Sequence, residues 1–165
     1  MVILGFDPGI ATLGYGVIQT EKGKKPHMLD YGIVSTPKDE NIAVRLAMLE
    51  KGVRQILDKY KPDEIAIEEL FFAKNVTTGM AVSAARGAAL VAAAQRTENL
   101  YEYTPMQIKQ AVTGYGKADK KQIQQMVKML LNMDTIPKPD DAADAIACAI
   151  THCQAGRMRE QFRMK

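Results

Sequence analysis

Three strand-length runs crowd into the first thirty-six residues, and this crowding limits the fold more than any other feature of the chain. Residues 2–6 form an apolar run that ends in Asp7-Pro8-Gly9, a strong turn signal. Residues 14–20 and 28–36 read as two further strands, divided by the turn-like Glu21-Lys22-Gly23-Lys24-Lys25-Pro26. Connections this short join antiparallel neighbours, so the chain opens with a meander. The period then changes. Ile42, Leu46, Leu49, Val53, Ile56 and Leu57 recur at three- and four-residue intervals, which predicts an amphipathic helix over 41–60, closed by Pro62. Ile65-Ala66-Ile67-Glu68 is a short buried strand, followed by a long helix near 78–97. Leu100-Tyr101-Glu102-Tyr103 is another strand, with Thr104-Pro105 capping a brief helix behind it. Helices over 118–131 and 140–156 complete the pattern. This order of elements predicts an α/β fold. Its mixed five-stranded sheet combines a three-strand antiparallel meander with two parallel strands, flanked by helices.

A length of 165 residues suits one domain with a sizeable core, expected over 1–156 with a short basic tail over 157–165. The apolar share is 47% and the charged share 25%, ordinary for a soluble protein. The amino-terminal run lacks the basic flank of a secretory signal, and the alanine-rich stretch 79–95 is too short and too mildly apolar to span a bilayer. These features predict a cytoplasmic protein with no membrane partner. Cys148 and Cys153 lie five apart on a helix, off a shared face, so an internal disulfide is not expected. Cys148 and His152 have i,i+4 spacing, but nothing else completes a four-ligand set, and the thiol reads as a small buried side chain. The net charge of +3 is modest, yet its placement is uneven. Lys109, Lys117, Lys120, Lys121 and Lys128 face a single Asp119 across 107–130, and Arg157, Arg159, Arg163 and Lys165 face Glu160 in the tail. Two such clusters suit a polyanion, although a solvated helix face gives the same counts.

The acids are placed more tellingly. Open sheets of this type carry their chemistry at the carboxyl ends of strands, where Asp7 and Glu68 both fall. A carboxylate there is costly unless something positive offsets it. Asp141 and Asp144 lie three apart on the last helix and project from one face. Four hard oxygen donors suit Mg²⁺ or Mn²⁺, and two such ions activate a water and stabilise the leaving oxygen of a phosphodiester. Helix geometry leaves the pair Asp140 and Asp144 open as well, and Asp140, behind Pro139, reads as an N-cap. Glu69 competes with Glu68, since strand alternation sends the two to opposite faces.

At these residues the chain resembles the RuvC-type crossover junction endodeoxyribonucleases, bacterial Holliday junction resolvases of the RNase H-like superfamily. The resemblance rests on Leu4-Gly5-Phe6-Asp7-Pro8-Gly9 with Gly14-Tyr15-Gly16, then Ala66-Ile67-Glu68-Glu69-Leu70-Phe71-Phe72-Ala73-Lys74-Asn75. Ala85-Arg86-Gly87, Gln107-Ile108-Lys109-Gln110 and Asp141-Ala142-Ala143-Asp144-Ala145 follow in order, so it runs from residue 2 to about 153. It implies an endonuclease that resolves four-way junction DNA by paired nicks in opposed strands, during recombination and repair. Asp7, Glu68, Asp141 and Asp144 would be both catalytic and metal-binding, holding two Mg²⁺ ions per subunit, with Mn²⁺ as the alternative. Phe71 matches the family's wedge aromatic, and Lys109 and Lys120 match residues facing the DNA backbone. On the residues alone, Phe71 and Phe72 read as core or staple residues. A homodimer and a branch-migration partner complex are further implications. Leu70 stands where valine is expected, and the loop 134–140 varies in length among relatives.

Residues 79–95 are small or apolar nearly all round, with only Ser83, Arg86 and Gln95 polar. A helix without a polar face is buried on both sides, so one side would cover the sheet and the other a second copy, or else the helix is the core of a monomer. Three other functions compete, one of them a related RNase H-like nuclease acting on RNA or RNA–DNA hybrids. Asp7-Pro8-Gly9 with Gly14 resembles the first phosphate loop of actin-like nucleotide-binding phosphotransferases, but those close two such domains over a nucleotide and this chain has length for one. A junction-binding protein that does not cut is the third, and four carboxylates beside a phosphate path argue against it.

Overall fold

The computed structural model describes residues 1–70 and 76–165. Five strands form one sheet of order β3-β2-β1-β4-β5, namely β1 (Val2–Asp7), β2 (Thr12–Gln19), β3 (His27–Ser35), β4 (Glu64–Glu68) and β5 (Leu100–Tyr103). The meander pairs antiparallel, with Asp7 opposite Gly14, while β4 runs parallel to β1 and β5 parallel to β4. The expected mixed sheet is therefore present, and its two parallel additions bring the carboxyl ends of β1 and β4 side by side.

Strand alternation divides the core into two layers. Leu4 and Phe6 of β1, Leu13 and Val17 of β2, and Ile65 and Ile67 of β4 pack with Leu49 and Val53 of α1 (Ile42–Tyr60) and with Ala85 and Ala89 of α2 (Val76–Ala94). On the opposite face, Ile3, Ala66, Tyr101 and Tyr103 pack with Ile146 and Ile150 of α5 (Asp140–Ala155) and with Ile108 and Ile123 of α3 (Pro105–Thr113) and α4 (Lys120–Leu130). Asn41 caps α1 by accepting from Val44 N at 3.0 Å, and Lys61 ends it in the left-handed region just before Pro62.

Helix α5 lies directly on the meander because glycines clear its path. A Cβ on Gly5 would strike the Ala145 carbonyl, one on Gly14 the Asp141 carbonyl, and one on Gly16 would lie 2.6 Å from Ile146 Cγ1. The helix contributes Ala142, Ala143, Ala145 and Ala149 to the contact, all fully buried. Small residues on both sides thus let backbone approach backbone. At its far end, His152 is enclosed between Tyr103 Oη and Glu64 Oε2, each at 2.7 Å. Cys148 is buried and free, as its spacing suggested, and His152 is engaged elsewhere.

One expectation changes, and one alternative, α2 as the core of a monomer, is set aside. Asp140 is the first residue of α5 rather than its cap; Pro139 occupies the cap position with no side-chain bond. An acid in the first turn still complements the helix dipole, and Asp140 accepts from Gln124 Nε2 at 2.9 Å. Helix α2 is buried on one face alone within a single chain, with Met80 68% and Val91 56% exposed on the other. Beyond α5 a 3₁₀ helix (Gly156–Phe162) folds back on the sheet. Met164 N donates to Leu100 O at 2.9 Å, and Arg163 bonds Glu160, Asn99 and Tyr101, so part of the tail's charge is held internally. No helix is long and apolar enough to cross a membrane among the described residues.

Candidate active site

Asp7 stands at the tip of β1. Ile3 and Gly5 face α5 while Leu4 and Phe6 face the other layer, so alternation turns Asp7 toward α5. The same logic applies to β4, where Ala66 lies in the α5 layer and Ile65 and Ile67 in the other. Glu68 is therefore the acid on the α5 side and Glu69 the one directed away. Parallel pairing of Phe6 with Ile67 sets Asp7 and Glu68 on adjacent strand ends.

The first turn of α5 completes the arrangement from above. Its approach over Gly14 lowers Asp141 and Asp144 onto the strand tips, and one carboxylate oxygen each from Asp7, Asp141 and Asp144 gathers within 4.8 Å of the others. Glu68 lies beside this trio, close enough to raise the Asp7 carboxyl and to be raised by Asp144. Asp140 is exposed and outside the trio. The Asp7 carboxyl is pushed up to about 8, chiefly by burial and then by Glu68, Asp144 and Asp141. Burial followed by Asp144 lifts Glu68 to about 7, and burial also raises Asp144. Proteins seldom keep such a concentration of like charge without a cation, and hard oxygen donors at this spacing match the ligands that Mg²⁺ and Mn²⁺ take.

Two lysines border the acids. After β5 the chain enters α3 through a capping box in which Thr104 Oγ1 accepts from Gln107 N at 3.2 Å and Gln107 Oε1 from Thr104 N at 2.8 Å. That entry carries Lys109 to the rim, where its charge lowers the Glu68 carboxyl. A second capping box, between Asp119 and Gln122, starts α4 and makes Lys120 its first residue. A lysine is unfavourable at a helix amino terminus, but Lys120 Nζ sits 3.1 Å from Asp144 Oδ2 and 3.4 Å from Asp140 Oδ2. Glu68, Lys109, Lys120 and Asp144 line one cavity of ≈ 350 Å³, with Pro105 and Ile108 in its wall. Phe71, the expected wedge aromatic, and its neighbour Phe72 lie outside the described residues.

Sequence reasoning missed the parts that hold the acids in place. The spacing of Gly14 and Gly16, two apart in a strand, is the signal that could have pointed to a close approach on one face, although it does not identify the visiting helix. Thr12, whose hydroxyl donates to Asp141 Oδ2 across 129 positions, gave no signal at all.

A helix laid across an antiparallel meander that two parallel strands extend, with acids gathered at the strand tips, defines the class as RNase H-like. The family model for "Crossover junction endodeoxyribonuclease RuvC" matches residues 3–152. A relative of that description from Alkaliphilus metalliredigens (strain QYMF) is 50% identical over 165 residues, covering all of both chains. A solved structure described as Thermus thermophilus RuvC in complex with Holliday junction substrate is 37% identical, covers 96% of each chain and superposes with a TM-score of 0.90. The yeast mitochondrial Holliday junction resolvase Ydc2 shares the fold at 14% identity, with a TM-score of 0.67 over 98% of this chain and 82% of that one. The chain belongs to the RuvC family of crossover junction endodeoxyribonucleases.

Proposed function

We propose that this chain resolves Holliday junctions by hydrolysing DNA phosphodiesters at the acidic cluster, with Asp7, Glu68, Asp141 and Asp144 as both catalytic and metal-binding groups. The observation that carries the reading is the meeting of Asp7, Asp141 and Asp144 oxygens within 4.8 Å, in a family whose Thermus thermophilus member was solved with a Holliday junction substrate. Mg²⁺ or Mn²⁺, two ions per subunit, fits four carboxylates of this kind. When bound, such ions polarise the phosphate and lower the pKa of the attacking water.

The chain's own groups have separable tasks. Asp7, the most crowded acid, holds the centre of the cluster, and the adjacent Glu68 and the α5 pair hold its two sides. Lys120 carries positive charge to the edge of the cluster, where it offsets Asp144 in the free protein and is available to a phosphate oxygen in the complex. Lys109 lies further along the cavity wall and supplies charge for the strand beyond. Phe71 is assigned the wedge role on the family resemblance alone. A homodimer would give two equivalent sites for two opposed strands, and the open apolar face of α2 supports that assembly.

Asp7→Asn tests the assignment. It keeps size and hydrogen bonding while removing the central charge, so it should abolish cutting of a synthetic four-way junction and leave junction binding within a few fold of wild type. Cutting at near wild-type rate would exclude the cluster as the catalyst.

A further inference from the structure

We propose that Thr12 is a positioning residue that holds Asp141 ready for a cation. The proposal rests on the metal-binding reading of the acidic cluster and extends it to a residue outside that cluster. Thr12 opens β2, two residues before the Gly14 that pairs with Asp7. Its hydroxyl donates to Asp141 Oδ2, and no other side chain among the described residues donates to that carboxylate.

The two acids of α5 are thus secured by different partners. Asp144 is held by the Lys120 ammonium at 3.1 Å, a charged contact that a phosphate would compete for. Asp141 is held by a neutral hydroxyl, which fixes one oxygen as an acceptor and leaves the other free for a ligand. Asp141 stands within reach of Asp7 and Asp144, and their mutual repulsion would turn an untethered carboxylate outward. The donor is itself well anchored. Thr36 N donates to Ala11 O at 3.0 Å, Thr36 Oγ1 donates to Ile10 O at 2.5 Å, and Arg45 Nε donates to Thr36 Oγ1 at 2.9 Å. A hydroxyl mounted on so constrained a turn orients its acceptor rather than following it. Groups that hydrogen-bond a ligating side chain commonly change metal affinity by about 10–100-fold when removed.

The test is Mn²⁺ binding to the DNA-free protein, followed by calorimetry and by the free-ion signal in electron paramagnetic resonance, for wild type, Thr12→Val, Thr12→Ala and Thr12→Ser. Val keeps the branched shape and loses the hydroxyl, Ala loses both, and Ser keeps the hydroxyl. The expected result is affinity reduced by about 10-fold or more in Thr12→Val and Thr12→Ala, and near wild type in Thr12→Ser. The Mg²⁺ concentration for half-maximal junction cutting should shift in parallel, with the maximal rate at saturating Mg²⁺ largely recovered. Wild-type affinity in both hydroxyl-free variants, or equal loss in all three, would overturn the role given to Thr12. A wild-type protein that binds no Mn²⁺ would overturn the metal-binding reading itself, and this proposal with it. Melting temperatures measured without metal identify any variant that is merely unfolded, and the remaining hydroxyl-free variant then decides.

Discussion

Asp7 and Glu68 ionise late, and the sign of that effect gives a measurable consequence. Their carboxyls are raised to about 8 and about 7 in the folded chain from ordinary values of 3.8 and 4.5. The native state therefore retains protons that the unfolded chain releases. For groups raised in this way the stabilisation is fully present below the unfolded pKa and is lost as pH climbs through the folded one. Metal-free protein should accordingly melt at progressively lower temperature from about pH 5 to pH 8, a loss on the order of a few kcal/mol. Millimolar Mg²⁺ should reverse the trend, raising the melting temperature more at pH 8 than at pH 5.5, since a cation favours the ionised acids. Asp7→Asn should remove the part of the metal-free slope that Asp7 contributes and leave the part due to Glu68. Thermal melts across that range, with and without Mg²⁺, check all three expectations; a flat profile would mean the cluster is less confined than its geometry indicates. At this scale alternation and helical spacing narrow the choice of acids without making it. Packing supplies what spacing leaves open: Ile65 and Ile67 lie in the layer away from α5, and Asp141 rather than Asp140 gathers with Asp7 and Asp144. Thr12 was invisible because a tether across so much chain has no linear signature.

Helix α5 is the element on which the site depends, and its height above the sheet is set by Gly5, Gly14 and Gly16. Gly14→Ala should displace the start of α5 where Asp141 is attached, costing about 1–3 kcal/mol by overpacking. Because Asp141 and Asp144 ride on that turn, cutting should fall by a larger factor than junction binding does. Denaturant melts and single-turnover cleavage measured together distinguish this from simple destabilisation; equal loss in cutting and binding would count against it. Among the described residues the five strands and five helices each match an expected element, and where bounds were expected the ends agree to within three residues. The exception was the 3₁₀ helix, which has no strong periodicity and forms because Arg163, Phe162 and Met164 find partners on β5 and its approach. The Asp140 cap failed for a related reason: its side chain is drawn to Gln124 and Lys120 of α4, contacts that only tertiary packing creates.

At the scale of the molecule, the open face of α2 is the feature a single chain leaves unexplained. Met80 and Val91 expose apolar surface on a helix whose other side is fully used by Ala85, Ala89, Ala92 and Ala93. Val91→Glu should weaken self-association in sedimentation experiments and convert paired junction nicks into single, unsynchronised ones, leaving the metal-free melting temperature of the isolated subunit nearly unchanged. Unaltered sedimentation would exclude that face as the contact between copies. The acidic cluster draws on β1 and on α5, elements separated by most of the sequence. A ribosome that has synthesised only the meander and the first helices holds Asp7 without the two acids of α5 that gather around it in the finished fold. On the proposed site, the ability to cut would therefore arrive late in synthesis, with the helix that carries Asp141 and Asp144.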